Sequence, residues 1–583
     1  MKLNKFNILR NYLLLASWFL LLGSFPAYAQ DWQWIKDGGS LDGNPDEQVI
    51  DMVTDSDRNV YVISQVGKNG LTIDGNVKTN WGDNTTLRDI ALASFSCDGT
   101  YRWSKIIGGG GVDVVKSVQV DSQDNVYVVG RFAGHQDTQT PPRIDNDYIM
   151  AQSPPDARVL FIAKFDKDGV FQWIKRPQAV VTPSTDTPNA LPLEMVIDND
   201  IIYWFVSLET GTYANGAFTT GTYTGYRKFV FKYDTSGNFI SAITLDFHTS
   251  YSSIKKLYRN PYNGYYYLMH SKTGGGIITV NGIVRDSASL IACFDSNGTF
   301  LWIRESNTTN TWDVVLHGLA FDPSNNIYVA GKMIGFSMGI NFLGFNIPDD
   351  LYPAFVLKVN PTADTLLWSS YGSTTAENIG GVLYNNGEVA YTGSATGQNF
   401  NFSSSSSLTL NVNTIGQHKE VLFAQFDAQT GSVTKLSKIT GDSGNLDYGT
   451  AIAVDTNGDY LVGGGFGHYI YDMNGNQNIN AGGSSDFFVA KFATGACNAL
   501  SVDGIEMGSI QLYPNPAKNS ISISAKEPIS TIAVYTVLGQ EVLSKNANLQ
   551  QAETVNVSHL TKGTYFIKVQ VGNAVKSYTF VKE

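Results

Sequence analysis

Along most of this chain, short runs in which apolar and polar residues alternate are separated by clusters of Asp, Asn, Gly and Ser. A period of two is the mark of a strand with one face in a core, and the clusters supply turn residues. The runs fall into a repeating unit. In its second copy, strands are expected at 116–121, 125–132, 160–166 and 171–175. The first two join through the tight turn Asp121-Ser122-Gln123-Asp124-Asn125, with counterparts at 55–59, 322–326 and 455–459. The strand after the turn is rich in Val, Ile and Tyr, as in Asn59-Val60-Tyr61-Val62-Ile63 and Asn326-Ile327-Tyr328-Val329-Ala330.

The end of the third strand anchors the repeat at Phe95, Phe165, Tyr233, Phe294, Val359, Phe426 and Phe492, at intervals of 61–70 residues. Repeats of this length, each of four short strands, describe a β-propeller with seven blades. The seventh unit lacks a Trp-bearing fourth strand. The segment Asp31-Trp32-Gln33-Trp34-Ile35-Lys36 is such a strand without a unit. The expected fold is therefore an all-β, seven-bladed propeller over residues 30–497, closed by its N-terminal strand. Closure pairs edges that would otherwise template aggregation. An open solenoid leaves the orphan strand unexplained.

The unit resembles the bacterial SBBP-type β-propeller repeat family. The residues that carry the likeness are Asn125-Val126-Tyr127-Val128-Val129-Gly130, Phe161-Ile162-Ala163-Lys164-Phe165-Asp166 and Phe488-Val489-Ala490-Lys491-Phe492. The resemblance covers residues 31–497, implies the propeller fold and is nearly silent on activity. The third and sixth units depart most, lacking the late Trp.

Both ends of the chain read differently. Lys2, Lys5 and Arg10 precede an apolar run at 13–22 and then Ala27-Tyr28-Ala29. That order is a Sec-type signal peptide over residues 1–29, with the mature chain starting near Gln30. The apolar run is about half the ~20 residues a spanning helix needs, and no transmembrane segment is expected in the mature chain. At the other end, a linker at 498–508 leads into alternating strands to the terminus, with a small sandwich of short strands expected at 509–583. Tyr513-Pro514-Asn515-Pro516, Leu538-Gly539-Gln540-Glu541-Val542, Leu560, Gly563-Thr564-Tyr565 and Phe580-Val581-Lys582 lie there in order. This segment resembles the type A C-terminal sorting domain of type IX secretion cargo in Bacteroidota. The resemblance implies partnership with the type IX translocon and a sortase-like peptidase. Sec export would then lead to release or attachment at the outer cell surface. The sorting-motif residues are Tyr513, Pro514, Asn515, Pro516, Gly539, Gly563 and Tyr565.

Charge adds one exclusion. The chain carries a net charge of −12, and because the leader and the tail are both basic, the central region is more acidic than the whole. Nucleic-acid binding needs a basic footprint, so it is not expected. The three cysteines, Cys97, Cys293 and Cys497, are too few for a disulfide scaffold and leave one pair plus a free thiol open.

Chemistry is sparse. There is no metalloprotease helix motif, nucleophile elbow or phosphate loop. The seven His are scattered without metal-ligand spacing. Asp455-Thr456-Asn457-Gly458-Asp459 starts like a calcium loop but runs into a strand where a bidentate acid is needed. Asp166 to Trp173 resembles the Asp-box of sialidases, but three residues rather than two separate Gly169 from Trp173. Trp34, Trp103, Trp173, Trp302 and Trp368 therefore read as packing residues. No catalytic residue, metal or cofactor is assigned.

The connections between second and third strands are long, and in a propeller they share one face. They carry Trp81, Tyr148, Tyr213, Tyr223, Phe336, Phe400, Phe402, Tyr469 and Tyr471. Trp81, Tyr148, Tyr223, Phe336, Phe402, Tyr469 and Tyr471 are the candidate ligand contacts, unless they pack within hairpin extensions. The resulting expectation is a secreted or surface-held, non-catalytic propeller that binds a glycan or a surface protein. The alternative is a secreted propeller hydrolase or lyase acting on polysaccharide, which requires two or more carboxylates converging in the central channel.

Overall fold

The computed structural model describes residues 30–583 apart from 43–46, 82–87, 134–139, 151–157, 178–189, 250–255, 273–276, 311–312, 334–338, 347–352, 376–379, 398, 413–418, 442–446, 496, 498–510, 526–527, 537–539, 548–549 and 572–573. The expected leader lies outside the described residues. The chain divides into two compact units, Met1–Ala496 and Cys497–Glu583. No helix among the described residues is long and apolar enough to cross a membrane.

The first unit is all-β. Among its described residues, each repeat forms one sheet of four successive antiparallel strands. The first holds Val49–Thr54, Val60–Val66, Asp89–Phe95 and Tyr101–Gly108. The second holds Val114–Val120, Val126–Ala133, Arg158–Phe165 and Phe171–Lys175, within two residues of expectation. In the seventh, Tyr448–Val454, Tyr460–Phe466 and Asp486–Ala493 take Asp31–Gly39 as their fourth strand, with Asp31 opposite Ala493 and Gly38 opposite Phe487. Neighbouring sheets touch near their first strands, and the first strand of the seventh lies beside that of the first. There Thr54 Oγ1 donates to the Val454 carbonyl at 3.1 Å, and Thr450 Oγ1 to that of Val49.

Middle strands are flanked by a sheet on each face, so they read as continuous apolar runs rather than alternating ones. Val60, Tyr61, Val62 and Ile63 are all buried, as are Ile327 to Ala330. Two devices recur where sheets meet. The first-to-second turn begins with Asp, whose carboxylate caps the turn and accepts the phenol two strand positions on. Tyr61 donates to Asp55 at 2.7 Å, Tyr127 to Asp121 at 2.8 Å and Tyr328 to Asp322 at 3.0 Å. In the second device, a fourth-strand Trp reaches the next sheet's last turn. Trp34 Nε1 donates to the Cys97 carbonyl at 2.9 Å, Trp103 to Lys167 at 3.0 Å and Trp368 to Ala428 at 3.1 Å. The packing role expected for these Trp residues is what they perform.

The long second-to-third connections carry small hairpins. Thr72–Ile73 pairs with Asp31–Gly39, and Arg143–Ile144 with Tyr101–Gly108. Likewise Ile278–Val280 pairs with Phe239–Thr249, and Phe400–Phe402 with Leu366–Thr375. Each of these hairpins thus extends the sheet of the preceding repeat and fastens the two together.

The C-terminal unit has two antiparallel sheets. Gln511–Tyr513, Ser520–Ser524 and Ala552–Asn556 form one, and Glu541–Asn546, Ile529–Thr536, Gly563–Val571 and Ala574–Lys582 the other. Ile521, Ile523, Ile532, Val534, Val555, Ile567 and Phe580 share its core. Cys97 and Cys497 are disulfide-bonded, while Cys293 is free and buried.

Candidate functional site

The aromatics of the long connections do not form one platform. Phe402 is fully buried, with rings of Phe400 at 5.3 Å and Phe426 at 5.0 Å. Its expected place on the surface is corrected: its hairpin folds back onto the preceding sheet and turns the ring inward. Phe400 and Tyr213 are also buried. Tyr148 packs on Phe171 at 6.2 Å. Tyr223 donates its hydroxyl to the Leu208 carbonyl at 2.8 Å and meets His248 edge-on. Trp81 is half-buried beneath the Arg143 guanidinium, 4.4 Å from the ring centre. Tyr469 and Tyr471 sit together, edge to face at 5.3 Å, half-buried on one hairpin. Phe336 lies outside the described residues.

The inner strands gather a second group that sequence reading missed. Asp51, Lys116, Glu194, Lys256 and Tyr258 come from the first strands of four successive repeats. Asp51 lies within electrostatic reach of Lys256, three repeats away in the chain. Pairing registers shift at Val49/Asp51, Val115/Ser117 and Pro192/Met195. Such bulges insert an unpaired residue and re-aim side chains, here Lys116 and Glu194. The signal in sequence was a lone charge inside an apolar strand, as in Val49-Ile50-Asp51-Met52-Val53 and Leu193-Glu194-Met195-Val196.

Burial raises the Asp51 carboxyl above its ordinary range, opposed by the Ser117 hydroxyl at 2.7 Å, the Val118 N–H at 3.0 Å and the Lys256 charge. Burial likewise raises Glu194, opposed by Lys256, the Leu257 N–H at 2.9 Å and Lys116. Lys116, whose side chain reaches solvent, is lowered by partial desolvation between the strands and held up by Glu194. Tyr258 is raised by burial and by both carboxylates. Two carboxyls with raised proton affinity are what acid–base chemistry asks for. Each, however, accepts a backbone N–H from an adjacent repeat, and the signs alternate −, +, −, + around the wall, so the group neutralises itself.

The calcium-like turn holds an internal cation instead. The buried Lys491 ammonium lies 2.7 Å from Asp455 and 3.8 Å from Asp459. No group of three or more His, Cys, Asp or Glu among the described residues is arranged to hold a metal. The Asp-box-like Asp166 caps its own turn, accepting the N–H groups of Asp168 and Val170.

In the C-terminal unit, Tyr513 is exposed and followed by cis peptide bonds before Pro514 and Pro516. Asn515 is tied to the last strand, donating to the Thr579 carbonyl at 3.1 Å and accepting the Val581 N–H at 2.9 Å. Tyr565 stacks on Phe580 at 5.7 Å and donates to the Thr561 carbonyl. Gly563 opens the strand that carries Tyr565, and Gly539 lies outside the described residues.

Residues 511–583 match the secretion system C-terminal sorting domain family. The chain is thus a type IX secretion cargo, delivered to the cell surface or the extracellular space. No curated protein matches the chain. Among solved structures it is similar to a europium-containing methanol dehydrogenase, at 11% identity and a TM-score of 0.34 over 79% of this chain and 93% of that one. It is also similar to the phage phi92 endosialidase, at 9% identity and a TM-score of 0.29 over 94% and 87% of the two chains. A third is the Trypanosoma rangeli sialidase, at 7% identity and a TM-score of 0.31 over 83% and 86%. Likeness this loose carries no argument about the reaction.

Proposed function

We propose that residues 30–497 form a closed seven-bladed propeller of the SBBP type. In this reading it is exported through a cleaved signal peptide and a cleaved C-terminal sandwich of residues 509–583, and it serves as a non-catalytic binding module for a glycan or a surface protein. The pairing of Asp31–Gly39 with Asp486–Ala493 supports closure. The observation that carries the binding role is the set of apolar side chains on the hairpin outer strands. Val77 is 80% exposed, Val284 64% and Ile479 59%, and Ile149 is exposed on the equivalent strand. Exposed apolar groups on short unpaired edges, set at repeat intervals, suit a ligand engaged at several points. Tyr469 and Tyr471 add an aromatic pair at one of them, and Trp81, Tyr148 and Tyr223 flank others. The second reading, a polysaccharide hydrolase or lyase, rests on the converging Asp51 and Glu194.

A panel of polysaccharides incubated with the purified full chain separates the two. Retention without new reducing ends, lost in a Tyr471→Ser/Ile479→Ser chain, supports the binding module. New reducing ends that disappear in Glu194→Gln overturn it in favour of the hydrolase. No response to any glycan leaves a protein ligand for the same edges.

A further inference from the structure

The hairpin of the third repeat, like those of the fifth and seventh, forms a two-stranded sheet of its own, and here it borders a cleft. Where a hairpin does fasten to the preceding sheet, it lies on a long fourth strand, such as Tyr101–Gly108 or Phe239–Thr249. The fourth strand of the second sheet, Phe171–Lys175, is only 5 residues long and runs into Arg176 and Pro177. Proline has no N–H for a ladder, so the strand stops. The hairpin of Thr212–Tyr213 and Phe218–Thr219 pairs only with itself and is held at its tip, where the Ala214 N–H donates to the Pro177 carbonyl.

Between that hairpin, the truncated strand and the turn after Tyr226–Asp234 lies a cavity of about 370 Å³. This is within the ~300–1,000 Å³ of small-ligand sites. Lys175 and Arg176 stand on one wall, and Asn215 and Asn238 on the others, with Phe239 and Pro177 as apolar surfaces. Lys175 stacks over Trp173 at 5.7 Å, which orders its stem. Neither Arg176 nor Asn215 has a hydrogen-bond or ion-pair partner among the described residues. The Asn238 amide donates to Asp234 and leaves its own carbonyl oxygen to accept. Lys175 and Arg176 thus set two positive charges in one cleft of an otherwise acidic unit, which favours an anionic ligand.

We propose that this cleft binds a carboxylate-bearing sugar, a uronic acid unit of an acidic glycan. The guanidinium takes a planar carboxylate through paired N–H donors, as its fork geometry favours. Asn215 and the Asn238 carbonyl oxygen pair with hydroxyls, one as donor and one as acceptor. Phe239 and Pro177 cover the C–H face of the ring. The sugar is preferred to an acidic peptide because the two amides offer hydroxyl partners at the carboxylate's flank, which a chain of carboxylates would leave unused.

This site is separate from the hairpin edges and stands without them. The test is calorimetry of the full chain with an oligogalacturonate, with its methyl ester and with poly-L-glutamate. The free acid is expected to bind and the ester not. Arg176→Gln with Lys175→Gln should weaken binding about tenfold or more, the loss expected for charged hydrogen bonds. Asn215→Asp, at an exposed tip where the left-handed backbone (φ +54°) suits Asp, should weaken it too while leaving the melting temperature in place. The Tyr471→Ser/Ile479→Ser chain should bind the oligogalacturonate unchanged. No binding, equal binding of the ester, or indifference to these charge changes overturns the proposal. Poly-glutamate binding as tightly as the oligogalacturonate replaces the sugar with an acidic peptide.

Discussion

Single residues decide how neighbouring sheets meet. Gly431 has φ +73°, and a β-carbon there would lie 2.5 Å from Trp368; Gly169 stands in the same relation to Trp103. The turn thus needs glycine twice over, for its left-handed backbone and for the ring beneath it. Gly431→Ala is expected to cost at least the ~1–2 kcal/mol of a left-handed L-residue. It should also push Trp368 outward, read as a lower urea midpoint and red-shifted tryptophan emission. An unchanged midpoint would remove Trp368 from the interface. Cys293 gives a second check. Burial pushes its thiol up to about 12, so no thiolate forms near neutrality. A thiol reagent should find no reactive group in the native chain and one after denaturation without reductant, because Cys97 and Cys497 are each held in a disulfide. Two or three reactive thiols would refute that state.

At the level of elements, acids at the strand ends respond to pH. Asp113 is raised to about 8 by burial and by Asp89, Asp486 to about 8 and Glu47 to about 7, each mainly by burial. Asp113 accepts the Ala133 N–H and Glu47 that of Gly67, so they fix the ends of second strands. Because the folded chain keeps these protons and the unfolded chain releases them near pH 4, stability falls as pH rises from 5 to 7. Lys228, lowered to about 7 by burial, brings the opposite trend only above that range. The melting temperature should therefore be lower at pH 7 than at pH 5, and Asp113→Asn should shrink the difference. A higher value at pH 7 would contradict the burial of these groups.

The strands themselves were legible in sequence, since all seven anchors from Phe95 to Phe492 end or nearly end a third strand. Period-two patterning reports local geometry and the nearest core. The fastening hairpins were hidden because two-residue strands such as Thr72–Ile73 carry no period, and their partners belong to another repeat. That is why Phe402 read as a surface ring. The inner charges were hidden for a related reason: bulges shift the alternation by one residue, so Lys116 and Glu194 carried no facing that sequence could assign.

For the whole molecule, the strand Asp31–Gly39 is the critical element. Deleting residues 31–39 exposes one edge of Asp486–Ala493 and removes the ladder partner of Thr72–Ile73. The expected result is loss of a single cooperative unfolding transition by calorimetry. A variant that still melts as one unit would favour an open array over a ring. At the other terminus, a chain lacking residues 511–583 should stay inside the cell envelope of its host, followed by immunoblot of the medium and cell surface. Delivery of that truncated chain would make the tail dispensable.

The joining of the first strand, Asp31–Gly39, to Asp486–Ala493 also sets a clock. Gln33 and Ala493 are hydrogen-bonded although 460 positions separate them. A ribosome adding ~5–20 residues per second needs roughly half a minute or more to make the second after the first. Throughout that time the opening strand has only Thr72–Ile73 against its end, and Asp31 to Asp37 lack the partner that Asp486–Ala493 supplies. The pairing of Asp31–Gly39 with Asp486–Ala493 can therefore form only once the chain has been made through residue 493. An interrupted product keeps one raw edge, which marks it as incomplete to any protease that attacks unpaired backbone.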